Sequence, residues 1–118
     1  MKSLTKAEEQ VMQALWKLEK GFLKDIVEAM PDPKPHPNTV ATLLKILTEK
    51  EFVIATIYGR MNEYKPLVSK QAYFKNTMNG LVKGYFDGSF TQAVSFLVEE
   101  EKLSLEDLEL LLNQLKNK

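Results

Sequence analysis

Pro37-Asn38-Thr39-Val40-Ala41-Thr42-Leu43-Leu44-Lys45-Ile46-Leu47, running on into Lys50-Glu51-Phe52-Val53, is the stretch on which the fold turns. Val40, Leu43, Leu44 and Leu47 recur at i, i+3, i+4 and i+7, and at about 100° per residue they gather on one side of a helix. Asn38, Ala41, Thr42, Lys45 and Glu49 fall on the opposite side, with Thr39 and Ile46 on one flank. The spacing predicts a short helix whose apolar face docks on its own domain and whose small, polar face stays open. Phe52 to Tyr58 is rich in β-branched and aromatic residues, Gly59-Arg60-Met61-Asn62 reads as a turn, and Glu63 to Val68 as a returning strand. Pro66 has no N–H to give to a ladder, so the second strand is expected at a sheet edge. A helix followed at once by a hairpin is the order that a winged helix-turn-helix needs.

Upstream, Thr5 and Glu8 match a capping box and open a helix carrying Val11, Met12, Leu15, Trp16 and Leu18. Gly21 is the expected stop. A second short helix bears Ile26, Val27 and Met30 and ends at Pro31. Pro31, Pro33, Pro35 and Pro37 then stiffen the connector and forbid helix until Pro37, which suits a first helical turn with His36 near its cap. Trp16 and Tyr64 are expected in the core, and Gly21 and Gly59 in turns.

Downstream, Ser69 caps a long helix bearing Tyr73, Phe74, Met78, Leu81, Val82 and Tyr85, which Asp87-Gly88-Ser89 breaks. A further helix holds Phe90, Val94, Leu97 and Val98, and Ser104 opens a last one lined by Leu105, Leu108, Leu111, Leu112 and Leu115. Three amphipathic helices in a row, with no globular core of their own, imply burial against a second copy of the chain. The alternative is that they fold back on residues 1–68. The fold class is therefore mainly α with a small β-hairpin: a winged helix-turn-helix over 1–68 and a helical dimerisation arm over 69–118.

The chain has 118 residues, no cysteine and 16 basic against 16 acidic side chains. The absence of cysteine excludes disulfides and thiolate metal sites. No apolar run approaches a membrane span of about 20 residues, and Met1-Lys2-Ser3-Leu4-Thr5 has no signal-peptide core. A soluble, cytoplasmic protein is the expectation. Charge is distributed unevenly, at +2 over residues 1–70 and −2 over 71–118.

Catalytic chemistry finds little purchase. The single histidine, His36, stands between two prolines without a second histidine to complete a metal site, and a helix cap is its simpler role. Glu99-Glu100-Glu101 reads as a solvated helix end. No phosphate-cradling glycine loop, nucleophile motif or cofactor motif is visible. DNA recognition fits better. Asn38, Thr39 and Thr42 are short hydrogen-bonding side chains near the start of a recognition helix, Ala41 permits close approach, and Lys45 and the wing residue Arg60 suit phosphates. Asn38 and Thr39 equally suit a helix start. A protein-binding winged helix, favoured by the neutral charge and the absence of Arg on the third helix, and a regulator holding a small ligand between wing and arm are the rival functions.

Leu4-Thr5-Lys6-Ala7-Glu8 with Val11-Met12-Gln13-Ala14-Leu15-Trp16 forms one of three motifs that resemble a known family. The second is Thr39 to Leu47 with Lys50-Glu51-Phe52-Val53. The third is Gly88-Ser89-Phe90 with Val94-Ser95-Phe96-Leu97-Val98-Glu99, then Leu103-Ser104 and Leu108 to Lys116. In order and spacing they resemble the penicillinase and methicillin-resistance repressors over essentially the whole chain. The resemblance implies a homodimeric winged-helix repressor on an inverted-repeat DNA operator, with Asn38, Thr39, Ala41, Thr42, Lys45 and Ile46 facing the groove. It matches the C-terminal stretch to a dimerisation arm, where the amphipathic pattern offers Tyr73, Phe74, Leu81, Tyr85, Phe90, Val94, Leu97, Leu105, Leu108, Leu112 and Leu115 as the dimer face. It also implies inactivation by cleavage between Ser95 and Phe96, triggered through a membrane-bound sensor metallopeptidase that responds to β-lactam.

Four positions depart from the family's pattern. Ala41 and Ile46 stand where Arg or Lys is frequent, so the operator sequence is expected to differ. Ser95 replaces a frequent Asn at the cleavage site. Glu51 replaces a frequent Gly before the wing. The C-terminal cysteine pair of copper-responsive relatives is missing, which argues against metal sensing of that kind.

Overall fold

The computed structural model describes residues 2–116, with the backbone alone at positions 111 and 114–116. Thr5 starts the first helix as a capping box requires: its Oγ1 accepts from the Glu8 N–H at 3.2 Å, and Glu8 Oε1 accepts from the Thr5 N–H at 2.8 Å. Helix α1 runs Lys6–Leu18 and buries Val11, Met12, Ala14 and Leu15. It stops earlier than expected. Glu19 takes the left-handed turn at φ 72 while its N–H returns to the Leu15 carbonyl, and Gly21 instead opens a two-residue strand, β1 (Gly21–Phe22). A Cβ at Gly21 would stand 3.3 Å from Asp25 Cβ and 3.4 Å from Leu18 Cδ1, so this position is held small by packing rather than by a turn.

Helix α2 (Leu23–Ala29) follows, with Asp25 Oδ2 accepting from the Phe22 N–H at 3.0 Å. Helix α3 (Pro37–Glu49) has Pro37 in its first turn and His36 as N-cap, the His36 Nδ1 accepting from the Asn38 N–H at 3.0 Å. Its end is a Schellman turn: the Glu51 N–H reaches the Thr48 carbonyl and the Phe52 N–H the Leu47 carbonyl, with Glu51 left-handed at φ 65.

Strands β2 (Val53–Tyr58) and β3 (Met61–Pro66) form the wing, paired antiparallel from Val53↔Pro66 to Tyr58↔Met61. The turn is tighter than expected: only Gly59 and Arg60 lie between the strands, and Gly59, at φ +62, supplies the positive φ that a two-residue hairpin needs. The sheet order is β1-β3-β2, so the strand with Pro66 is central, not an edge. Pro66 is tolerated there because it is the last residue of β3. The Leu67 N–H points to the Phe52 carbonyl, so by alternation the missing Pro66 N–H faces the β1 side, where the short β1 pairs only as far as Tyr64.

The chain forms two compact units, Met1–Phe74 and Lys75–Lys118. The first is a winged helix-turn-helix. Its core joins Val11, Met12 and Leu15 of α1, Ile26 of α2, Val40, Leu44 and Leu47 of α3, and Phe52 and Val53 of the wing base. Burying each such large side chain stabilises by about 1.5–3 kcal/mol. Trp16 and Tyr64 pack partly buried against this core, as the sequence leads one to expect. Helix α4 (Lys70–Tyr85) begins in this unit, its Ser69 cap accepting from the Ala72 N–H at 3.0 Å.

The second unit holds the rest of α4, then α5 (Phe90–Glu99) and α6 (Leu105–Lys116). Asp87 at φ 50 and Gly88 at φ 83 turn the chain out of α4, and Ser89 caps α5. The Phe86 and Phe96 rings meet at 5.9 Å and Val82 is buried. Among the described residues, no helix is long and apolar enough to cross a membrane.

Candidate nucleic-acid interface

Helix α3 is gripped from one side only. Val40, Leu44 and Leu47 are fully buried, which fixes its rotation about its own axis. The opposite face then follows from helical spacing: Asn38, Thr39, Thr42, Lys45 and Glu49 are exposed, and Ala41 and Ile46 are half-buried at its margins. The structure thus brings six of the sequence-predicted positions onto one helix and one surface. Arg60, at the tip of the hairpin, is exposed on a different element.

Two devices hold the helix in place. The connector before it is folded back by Lys34, whose Nζ donates to the Glu28 and Met30 carbonyls at 2.7 and 2.9 Å, a cation closing the end of α2. At the far end, Lys50 Nζ donates to both Glu8 oxygens at 2.8 and 2.9 Å and to the Ser3 carbonyl at 3.2 Å. Glu8 is almost wholly buried. Burial works to raise its pKa, but the hydrogen bonds from Lys50 and from Thr5, with the Lys50 charge, outweigh it and hold the carboxyl below its ordinary value. Neither lysine belongs to the set of positions that the sequence points to as a site. Lys50 carried a signal, since it lies in the deciding stretch one turn past the helix's buried face.

The open face is sparsely charged. Lys45 is exposed and, like Arg60, forms no ion pair among the described residues. Both are free to meet phosphates. Thr42 Oγ1 donates to the Asn38 carbonyl at 3.0 Å, one turn back along the helix. His36, expected near the cap, is the cap.

The arm positions divide. Phe74, Leu81, Tyr85, Phe90, Val94, Leu97, Leu105 and Leu112 are exposed in the single chain, and Leu108 is half-buried. The side chain of Leu115 lies outside the described residues. Tyr73, expected on the same apolar face, belongs instead to the core of the first unit: its ring lies 5.7 Å from Phe52 and 5.9 Å from Trp16, and its hydroxyl donates to Glu9 at 3.0 Å. One turn into α4, the chain is still close enough to α1 for an aromatic side chain to be taken inward. Ser95 and Phe96 lie within α5, both exposed.

The model of the penicillinase repressor family matches residues 4–117. Among solved structures, one described as "CopR Repressor Structure" is 30% identical, covering 58% of this chain and 100% of that one, with a TM-score of 0.48. No curated protein sequence matches.

Proposed function

The chain belongs to the penicillinase repressor family, DNA-binding repressors of transcription, and from that premise we propose that it acts as a homodimer on an inverted-repeat operator. Residues 1–68 bind DNA and residues 69–118 hold two copies together. The observation that carries this is the one-sided burial of α3, which leaves Asn38, Thr39, Thr42 and Lys45 open with Ala41 and Ile46 beside them. A helix presented in that way enters a major groove with its first turns nearest the bases, and Arg60 of the wing meets the backbone. Two such helices related by a twofold axis address half-sites about one helical turn (~34 Å) apart.

The dimer face is made by the exposed apolar side chains of α4, α5 and α6, from Phe74 to Leu112, with the half-buried Leu108 on α6 among them. Apolar side chains of this size, left exposed in the single chain, favour association with a second copy. Dimerisation makes operator binding bivalent, so any event that cuts or loosens the arm releases DNA by loss of effective concentration. Cleavage at Ser95–Phe96 would do so. The bond lies mid-helix, so α5 has to unwind locally before a peptidase can take it in extended form. A membrane-bound sensor metallopeptidase is the upstream partner of this route, and the repressor works in the cytoplasm.

Selection of bound duplexes from a random DNA pool, followed by affinity measurement across a salt series, tests the proposal. A palindromic winner whose affinity falls steeply with salt is expected. A folded dimer that enriches no sequence would transfer the function to protein binding, a reading that the neutral charge and the absence of Arg on α3 would then favour.

A further inference from the structure

We propose that Thr42 reads thymine through its methyl group, so that each operator half-site carries one thymine whose C5 methyl packs against the Thr42 Cγ2. This deepens the assignment of α3 to the major groove and rests on it.

The hydroxyl of Thr42 is already engaged. Its Oγ1 donates to the Asn38 carbonyl at 3.0 Å, which turns the oxygen back against the helix and commits its only proton. The side chain is nevertheless exposed, so what it offers outward is the methyl. The major-groove edge of guanine shows two acceptors, N7 and O6, and calls for a donor that Thr42 does not have to spare. Thymine shows the one methyl group in the groove, and an outward methyl is its natural partner. Ala41, beside Thr42 on the same surface, adds a second methyl and no polar atom.

The neighbours sharpen the contrast. Thr39 is exposed and forms no side-chain hydrogen bond among the described residues, so its hydroxyl serves as donor or acceptor as required. Asn38 keeps its amide at the surface for an adenine edge. Guanine readout by a paired cation would need Arg or Lys near the helix start, and the face holds only Lys45, two turns in. The first turns of α3 are thus built for A·T pairs, with Thr42 as the thymine reader.

The test uses the full chain and the duplex selected from a random pool. Each thymine of the duplex is replaced singly by deoxyuridine, which removes only the C5 methyl. One position per half-site is expected to weaken wild-type binding about fourfold, the value of one buried methyl. Thr42→Val, which keeps the methyl and loses the hydroxyl, should retain the deoxyuridine penalty at that position. Thr42→Ser, which keeps the hydroxyl and loses the methyl, should bind about fourfold more weakly per half-site and be indifferent to deoxyuridine at that position. Melting curves check that both variants fold, and the deoxyuridine series on the unaltered protein needs no variant.

The idea is overturned if no thymine in the half-site responds, if the penalty persists undiminished in Thr42→Ser, or if Thr42→Val is the variant that loses discrimination. Failure to enrich any duplex would sink the groove assignment itself, and is thereby distinguishable from misreading Thr42.

Discussion

Lys50 crosses 42 residues of sequence to pair with Glu8, and this one contact ties the start of α1 to the end of α3. Removing the cation would leave a carboxylate stranded in the core. Lys50→Met is expected to destabilise the winged unit by about 3 kcal/mol, measured by denaturant unfolding. The pair also has a pH signature. Because the folded-state pKa of Glu8 lies below its ordinary value of about 4.5, its stabilisation is complete above that value. It drains away as pH falls from there through the folded-state pKa. Melting temperature should drop over that window in the wild type and drop less in Lys50→Met. Glu51, next along, sits at φ 65 where a glycine carries no Cβ penalty. Glu51→Gly should stabilise the fold by about 1 kcal/mol; a loss of stability would show that the side chain gives more than the backbone geometry costs. For recognition, Thr42→Ala should leave the melting curve unchanged and relax operator choice by about 1 kcal/mol per half-site, read from competition binding. Unaltered operator affinity would count against the whole assigned face.

At the scale of elements, the helices were legible because their signals repeat. Val40, Leu44 and Leu47 recur at helical spacing and are all fully buried, and His36 and Pro37 mark the start of α3 where propensity puts it. The sheet was legible only in part. A strand of two residues, Gly21–Phe22, is too short to show alternation, so nothing in the local sequence announces it. Its presence moves β3 from edge to centre, and Pro66 misleads because the rule against proline concerns the N–H side actually paired, not the strand as a whole. Met61 and Asn62 resemble loop residues but already belong to β3, and Gly59 supplies the conformation that closes the two-residue hairpin. Glu19 hid the end of α1 in the same way, by taking a left-handed turn that sequence assigns to glycine. Of the interface, the positions on α3 could be listed from periodicity, but the engagement of the Thr42 hydroxyl and the Lys50–Glu8 pair could not, since each depends on atoms brought together by the fold.

At the scale of the whole molecule, the proposed dimer rests on the exposed apolar side chains of the last three helices. Leu105, Leu110 and Leu112 of α6 are all more than half exposed. Replacing Leu108 and Leu112 together by Asp should give monomers in sedimentation and much weaker operator binding, with the winged unit intact. A dimer that survives both changes would place the interface elsewhere. That experiment can be followed without any label. The only tryptophan of the chain, Trp16, donates its indole N–H to the Val68 carbonyl at 2.8 Å and lies against Tyr73, inside the first unit. Its emission is therefore a private optical channel to residues 1–74, silent about residues 75–118, whereas far-ultraviolet ellipticity sums the helices of both units. In a denaturant titration the two traces should part, ellipticity falling before the emission moves to the red in the Leu108/Leu112 double variant. Superimposable traces would mean that the two units melt as one. A single indole thus turns an ordinary cuvette experiment into a spatially resolved one.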